Sequence, residues 1–373
     1  MAGAGPVGLT AALHLAQAGV RVSILEKRAG LSTASLASTI HPPTLETLDR
    51  LGVLGAVAGQ GYRVDTIQHR TPDGVFATFR MGDLAAETPF PFRLHLEQAA
   101  ITPVMLRLLR GLGAEVRFGH EVTAVAPDAE GVTVTAGGER FRGGFLLAAD
   151  GARSAVRGLL GIPFEGEDYP DKILRVMTRD DLGLLLPGIA PVTYAYNGAR
   201  SVSFLRMPGL WRIILRVPEA VTEAEAQDEG WILDRFRAVL PGCPRLPAVA
   251  GTDAYGASRR VAARFRKGRV YLIGDAAHVT STRGGMNMNC GIHDAAALAA
   301  AIASGGKLAA DAAADERRRI ATECLIPRTH RTVAFGPAWL KKLRDTAADP
   351  DAARAYLASA AMLDMLDRAP AHA

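Results

Sequence analysis

Gly3, Gly5 and Gly8 stand as GxGxxG in "GAGPVG" at the start of the chain, and Glu26 closes the strand-like run "VRVSILE" (20–26). Glycines at that spacing serve a tight turn, close approach of backbone to a pyrophosphate, and tight packing of helix on strand. Pro6 suits a first helical turn, whose free N–H groups and partial positive charge would face the phosphates. A carboxylate at Glu26 can accept both hydroxyls of a ribose. This is dinucleotide-binding chemistry. A second acid turn comes in "AADGARSAVR" (148–157), where an apolar strand delivers Asp150 and Gly151 to a helix start; alone, Asp150 reads first as a helix cap. The third is "YLIGDAAH" (271–278) followed by "GGMNMNCGIHDAAALA" (284–299). There a strand ends in Gly274-Asp275, and glycines lead into a helix whose exposed N–H groups could stabilise an anionic ring system.

The elements that must position these turns are legible in outline. "PVGLTAALHLAQA" (6–18) is a helix with Gly19 at its C-terminal cap. A helix follows at 42–52, then a hairpin over 64–80 around a Pro-Asp-Gly turn. Residues 96–113 read as a helix broken or bent at Pro103, and 114–143 as short strands and turns. From about 168 to 258 strands dominate, notably 192–197, 201–207 and 211–217, with one amphipathic helix near 222–240. An alanine-rich helix runs to about 304, and the tail is helical and polar-faced. The expected class is α/β: a Rossmann-like dinucleotide-binding domain (1–62, 93–167 and 251–305) interleaved with a substrate-binding β-sheet domain (63–92 and 168–250), followed by C-terminal helices (306–373).

Composition narrows the function classes. Of 373 residues, 49% are hydrophobic and 22% charged, which suits a soluble globular core. The net charge of +5 comes from 43 basic and 38 acidic residues without a long like-charge block, so neither a nucleic-acid arm nor a membrane-binding arm is expected. Three cysteines without a CxxC pair argue for a reducing cytoplasm and against a disulfide framework or a metal site. The uncharged first 20 residues lack a basic leader and contain Pro6, His14 and Gln17, unlike a signal or membrane segment.

Taken together, the three turns resemble the FAD-dependent aromatic hydroxylases, single-component monooxygenases of the para-hydroxybenzoate hydroxylase and phenol hydroxylase type. "STIHPPTLETLDRLGV" (38–53) and "RLHLEQAAITPVMLRLLR" (93–110) carry the same likeness, which weakens between 168 and 258. The resemblance implies FAD as cofactor and NADH or NADPH as transient electron donor. It implies O2 and a small phenol-like substrate, with one oxygen atom transferred through a flavin hydroperoxide. It would place Gly3, Gly5, Pro6, Gly8, Glu26 and Lys27 on the ADP half of FAD, Gln98 near the pyrophosphate or ribityl chain, and Val122 at the adenine edge. Asp150, Gly274 and Asp275 would serve the acid motifs, and Gly285, Met286, Asn287, Met288 and Asn289 would face the flavin ring. The chain departs from the family at Thr282-Arg283, where proline is usual, and at Asn287, where glycine is usual; Asn is the residue best able to imitate glycine at positive φ. Another flavoenzyme of the same fold, such as an epoxidase or reductase, and a truncated or degenerate flavin-binding protein are the alternatives. The WxWxIP segment of flavin halogenases is missing, since Trp211, Trp231 and Trp339 stand alone.

No residue type marks a catalytic acid or base. Tyr194 and Tyr196 share one face of a strand by its period of two, either lining an aromatic pocket or filling core. Arg206 and Arg212 could hold a substrate carboxylate or phenolate, or simply face solvent. His278 reads as a structural hydrogen-bonding residue and Cys290 as a small filler. Only Met1 and Ala2 precede the glycine turn, where a central strand is expected. Losing about five strand residues forfeits ladder bonds of ~1 kcal/mol each and two or three apolar sites of roughly 2 kcal/mol each. That sum rivals a whole stability of about 5–15 kcal/mol, so an apolar strand upstream of Met1 is the expectation.

Overall fold

The computed structural model describes residues 1–34, 37–198, 200–242, 245, 247–331 and 335–366; Ser35, Leu36, Cys243 and the last residues of the tail lie outside them. The chain is α/β, with the dinucleotide-type elements and the strand-rich segment interleaved as the pattern predicts. The first helix, Pro6–Gln17, buries Leu9, Ala12 and Leu13 and ends before Gly19, whose φ of +78° is the left-handed cap only glycine adopts freely. Strand Ser23–Glu26 pairs in parallel with Glu115–Phe118, and Leu146–Ala148 pairs in parallel with Val270–Leu272. Ala2 bridges the two pairs, in parallel with both Leu25 and Ala148. Its N–H donates to Leu147 O at 2.9 Å and its carbonyl accepts from Ala149 N at 2.8 Å, while Gly3 N donates to Leu25 O at 2.8 Å. The residues before the glycine turn therefore hold the central position, and the strand ends carrying Glu26 and Asp150 emerge on either side of it.

Helix Gln98–Gly111 is continuous through Pro103. The expected break does not occur, because Ile101, Met105 and Leu109 bury one face and hold the helix against the first. The region from 222 to 240 is two helices rather than one. Thr222 and Glu225 form a capping box on the first, and the Asp228 carboxylate accepts from Trp231 N at 3.0 Å to start the second.

The largest sheet has seven strands in the order Val249–Tyr255, Lys172–Thr178, Leu210–Val217, Arg200–Met207, Val192–Asn197, Thr66–Thr71, Gly74–Arg80. All neighbours are antiparallel except Val192–Asn197 beside Thr66–Thr71, which run parallel. The first of these strands carries the sheet past the expected boundary at 250. Period-two alternation sends Phe204, Ile213 and Leu215 toward helix Glu229–Val239, where Ile232 and Phe236 meet them. The opposite face looks toward the dinucleotide-type elements.

Helix Asn287–Ile320 is interrupted at Gly306, whose φ of +61° and ψ of −142° are not helical. This kink stands where sequence placed the helix end. The two helices Pro337–Ala348 and Pro350–Ala360 pack Leu343 and Leu357 on Phe79 and Met81 of the hairpin region. Among the described residues, no helix is long and apolar enough to cross a membrane.

Candidate active site

One cleft of about 1020 Å³ lies between the glycine turns and the inner face of the large sheet. Gly3, Gly5, Pro6, Glu26, Lys27, Gln98, Val122, Asp150, Asp275, Gly285, Met286, Asn287 and Met288 all line it. The three turns, far apart in sequence, thus meet around a single cavity.

The glycines divide by what surrounds them. A Cβ on Gly3, at φ +99°, would lie 2.4 Å from Ala149 O, and one on Gly8 would lie 2.1 Å from Gly3 O. Both are glycine because protein backbone fills the space. Gly5 is different: its φ of −75° suits any residue and a Cβ there would meet nothing within 4 Å. The room beside it belongs to the cleft. Helix Pro6–Gln17 starts at Gly5 with no side-chain cap and no acid in its first turn, leaving its N–H groups to whatever fills that room. The helix beginning at Asn287 is likewise uncapped by a side chain.

The acids also divide. Glu26 is buried, and its two oxygens accept from Ala4 N at 2.7 Å and Arg28 N at 2.9 Å, leaving lone pairs for a ligand. The Asp150 carboxylate accepts from Ser154 Oγ at 2.6 Å and Val156 N at 3.0 Å, so it caps its helix while standing at the cleft wall. Asp275 accepts from Asn287 Nδ2 at 2.7 Å, and burial pushes its carboxyl upward. Asn287 carries no positive φ, since Met362 is the one non-glycine with φ above zero among the described residues. Its place in the loop comes from side-chain bonding: Nδ2 to Asp275 and Oδ1 to His278 Nδ1 at 3.2 Å.

Behind this turn lies a buried ionic chain. His278 Nε2 meets Asp294 Oδ2 at 2.7 Å, and Arg317 Nε donates to Asp294 Oδ1 at 2.7 Å. Burial alone would lower His278, but the Asp294 charge overrides it and holds the imidazole well above its usual range. The cations of His278 and Arg317 overcome the burial of Asp294 and keep it ionised. Asp294 Oδ2 also accepts from Gly274 N at 3.1 Å, so the chain fixes the backbone just before Asp275. His278 is therefore structural. Cys290 is fully buried beside Arg317, 3.2 Å from its Nη2.

Several expected contacts are not at the cleft. Gly8 and Gly274 pack against protein, the latter with Val7 3.0 Å from where a Cβ would sit. Asn289 is fully buried and staples the loop, donating to Thr39 O at 2.8 Å and Gly285 O at 2.6 Å while accepting from His41 N at 2.9 Å. Arg206 lines no cavity described; it pairs with Asp181 at 3.2 Å and stacks over Trp211. Arg212 does line the cleft, but its guanidinium is engaged by Glu97 and by Ser38 Oγ at 2.6 Å.

Tyr194 and Tyr196 face a side chamber of about 100 Å³ that adjoins the cleft, sharing Arg93, Tyr194, Arg283, Gly284 and Met286 with it. His69 lies there with its ring parallel to that of Tyr196, Nδ1 3.1 Å from the tyrosine hydroxyl. Sequence reasoning missed His69 and Arg93. Arg283 was visible only as a departure at the loop entrance.

A family profile described as an FAD binding domain matches residues 1–325. The chain is 32% identical over 355 residues to para-nitrophenol 4-monooxygenase of Pseudomonas sp. (strain WBC-3), covering 91% of this chain and 86% of the relative. It is 33% identical over 308 residues to 6-hydroxy-3-succinoylpyridine 3-monooxygenase HspB of Pseudomonas putida (strain DSM 28022 / S16), covering 79% and 76%. The crystal structure of p-nitrophenol 4-monooxygenase PnpA from Pseudomonas putida DLL-E4 superposes with a TM-score of 0.87 at 30% identity, covering 99% of this chain and 98% of that one.

Proposed function

The chain belongs to the FAD binding domain family, and on that premise we propose that it is an FAD-dependent monooxygenase that uses NADH or NADPH and O2 to hydroxylate a phenol-like aromatic small molecule. The observation that carries this reading is the convergence of Glu26, Asp150 and Asp275, with their glycine turns, on one cleft walled by a β-sheet face.

The residues present fit FAD. The vacant space beside Gly5 and the uncapped helix start behind it suit a pyrophosphate, and Glu26 retains the acceptor capacity for ribose hydroxyls. Lys27 and Val122 would bound the adenosine end. Gln98 and Asp275, both on the cleft wall, would meet the ribityl chain or pyrophosphate. Met286, Asn287 and Met288 would present backbone N–H groups to the ring, with Gly285, whose own N–H donates to Thr282 O at 3.2 Å, beside them. When bound there, FAD would supply the redox chemistry: acceptance of hydride from a nicotinamide donor and activation of O2 for oxygen-atom transfer. The protein's part is placement and dryness. His41 Nε2 donates to Gly284 O at 2.8 Å and anchors the loop below the ring position, and burial holds that histidine neutral. The sheet face and the Gly284–Gly285 loop line the cleft and would flank a ring bound there.

Purified protein with a flavin spectrum, whose NAD(P)H oxidation is stimulated by a phenol with matching hydroxylated product, supports this function. Bound flavin without stimulation by any of a broad phenol panel overturns it.

A further inference from the structure

The side chamber holds positive charge that the protein does not neutralise. Arg93 is 4% exposed; it donates from Nη2 to Ala360 O at 3.1 Å, its Nε meets no acceptor, and no carboxylate pairs with it among the described residues. Arg283 donates from Nη1 to Ser201 Oγ at 3.3 Å, leaves Nη2 without an acceptor, and lies 5.4 Å from the ring centre of Tyr194 and 5.5 Å from that of Tyr196. Among the described residues no carboxylate pairs with it either. The remaining guanidinium of the chamber, Arg328, is held by Asp364 at 2.9 and 2.5 Å, so the acid near this wall is already spent. A buried guanidinium without a counter-charge is costly. Arg93, which is buried, and half-buried Arg283, whose Nη2 is buried without a partner, stand together at the mouth joining chamber and cleft and describe an anion site.

The neighbouring groups supply no negative charge. Burial, then the charges of Arg283 and Arg93, press His69 down to about 3, so it is a neutral imidazole with Nε2 unpartnered. Burial keeps Tyr196 protonated and pushes Tyr356 up to about 12. The chamber therefore combines aromatic walls, two uncompensated cations and one neutral hydrogen-bonding ring.

We infer that Arg93 and Arg283 are specificity-determining residues that bind the ionised oxygen of the aromatic substrate, so that ring anions are selected over their neutral analogues. The inference rests on the monooxygenase reading for the word substrate, but the anion site is defined by the arginines alone. Arg212 and Arg206, the arginines the sequence suggested, are occupied by Glu97 and Asp181. The uncompensated pair takes the role they were expected to fill.

The test is equilibrium binding to the full chain carrying its flavin, read by fluorescence quenching, with 4-nitrophenol and its methyl ether, 4-nitroanisole. Above the phenol's own pKa the wild type binds 4-nitrophenol tenfold or more tighter than the ether, as charge-assisted hydrogen bonds require. Below that pKa the preference shrinks. R93M and R283M lose the preference while retaining FAD, and R93K and R283K keep part of it. Equal wild-type affinity for the two probes at both pH values overturns the inference, and needs no variant to fold. So does an undiminished preference in R93M and R283M, or loss of FAD in them with anion preference intact. A wild type that selects the anion without taking up FAD sinks the monooxygenase reading and leaves the anion site standing.

Discussion

Replacing Asp294 by Asn tests the ionic chain behind the third turn. The fully buried carboxylate accepts from His278 Nε2 at 2.7 Å, Arg317 Nε at 2.7 Å and Gly274 N at 3.1 Å. An amide offers one oxygen to those three donors and turns an NH2 toward the rest. Breaking a buried pair from one side costs about 3–5 kcal/mol, and in a chain of this size each kcal/mol moves Tm by roughly 2 °C. D294N is therefore expected to melt roughly 6–10 °C below wild type at neutral pH. The pH dependence changes sign as well. In the wild type His278 is raised, so its contribution is complete below its unfolded value of about 6.5 and is lost as pH climbs through the folded value, well above that. Asp294 is depressed, so its contribution is complete above about 4 and is lost only as pH falls through its folded value. Wild-type stability thus declines as pH rises above about 6.5, by at most about 1.4 kcal/mol per pH unit from this site. In D294N the imidazole retains its burial cost without its partner, so stability rises with pH up to about 6.5. Thermal melts of both proteins from pH 5 to 9 decide the matter. A D294N curve parallel to wild type, or within about 1 kcal/mol of it throughout, refutes the coupling.

The glycines give a second contrast. Gly5→Ala enters open space and is expected to leave the flavin-free protein within about 0.5 kcal/mol of wild type while lowering FAD affinity tenfold or more; Gly8→Ala drives a Cβ to within 2.1 Å of Gly3 O and is expected to lower both stability and flavin content. Paired melting and FAD titration check both, and equal FAD affinity in G5A would show the space beside it unused. Arg206→Met is expected to leave turnover within twofold of wild type, since that side chain points away from both cavities toward Asp181 and Trp211; a tenfold loss of kcat/KM would restore it to the substrate site.

What sequence could show was what local pattern encodes. The glycine turns, the strand–acid–helix joints and the Pro-Asp-Gly hairpin each lie within a short window, and the structure keeps them. Asp150 was ambiguous because cap and cleft residue are the same position, and its hydrogen bonds show that it caps while facing the cavity. Asn287 misled because resemblance to glycine suggested backbone conformation, whereas its amide bonds Asp275. Period two placed Tyr194 and Tyr196 on one face, but it could not say which arginines nearby lacked acids. Arg93 comes from a strand beside Thr39–Ile40 and Arg283 from a loop nearly two hundred residues later along the chain; only tertiary packing shows that no carboxylate among the described residues pairs with either. Arg283 left one trace, standing at a departure from the family pattern. Arg93 left none.

The joint between strands Thr66–Thr71 and Val192–Asn197 is the one parallel pairing in the large sheet. His69 and Tyr196 meet across it though 127 residues separate them. That connection includes Gln98, Val122 and Asp150, so the loop that must close to build the chamber also carries part of the cleft wall. Closing so distant a contact is slow and entropically late. On refolding, recognition of a ring anion should therefore be among the last properties to return, making it a more exacting gauge of complete assembly than secondary structure.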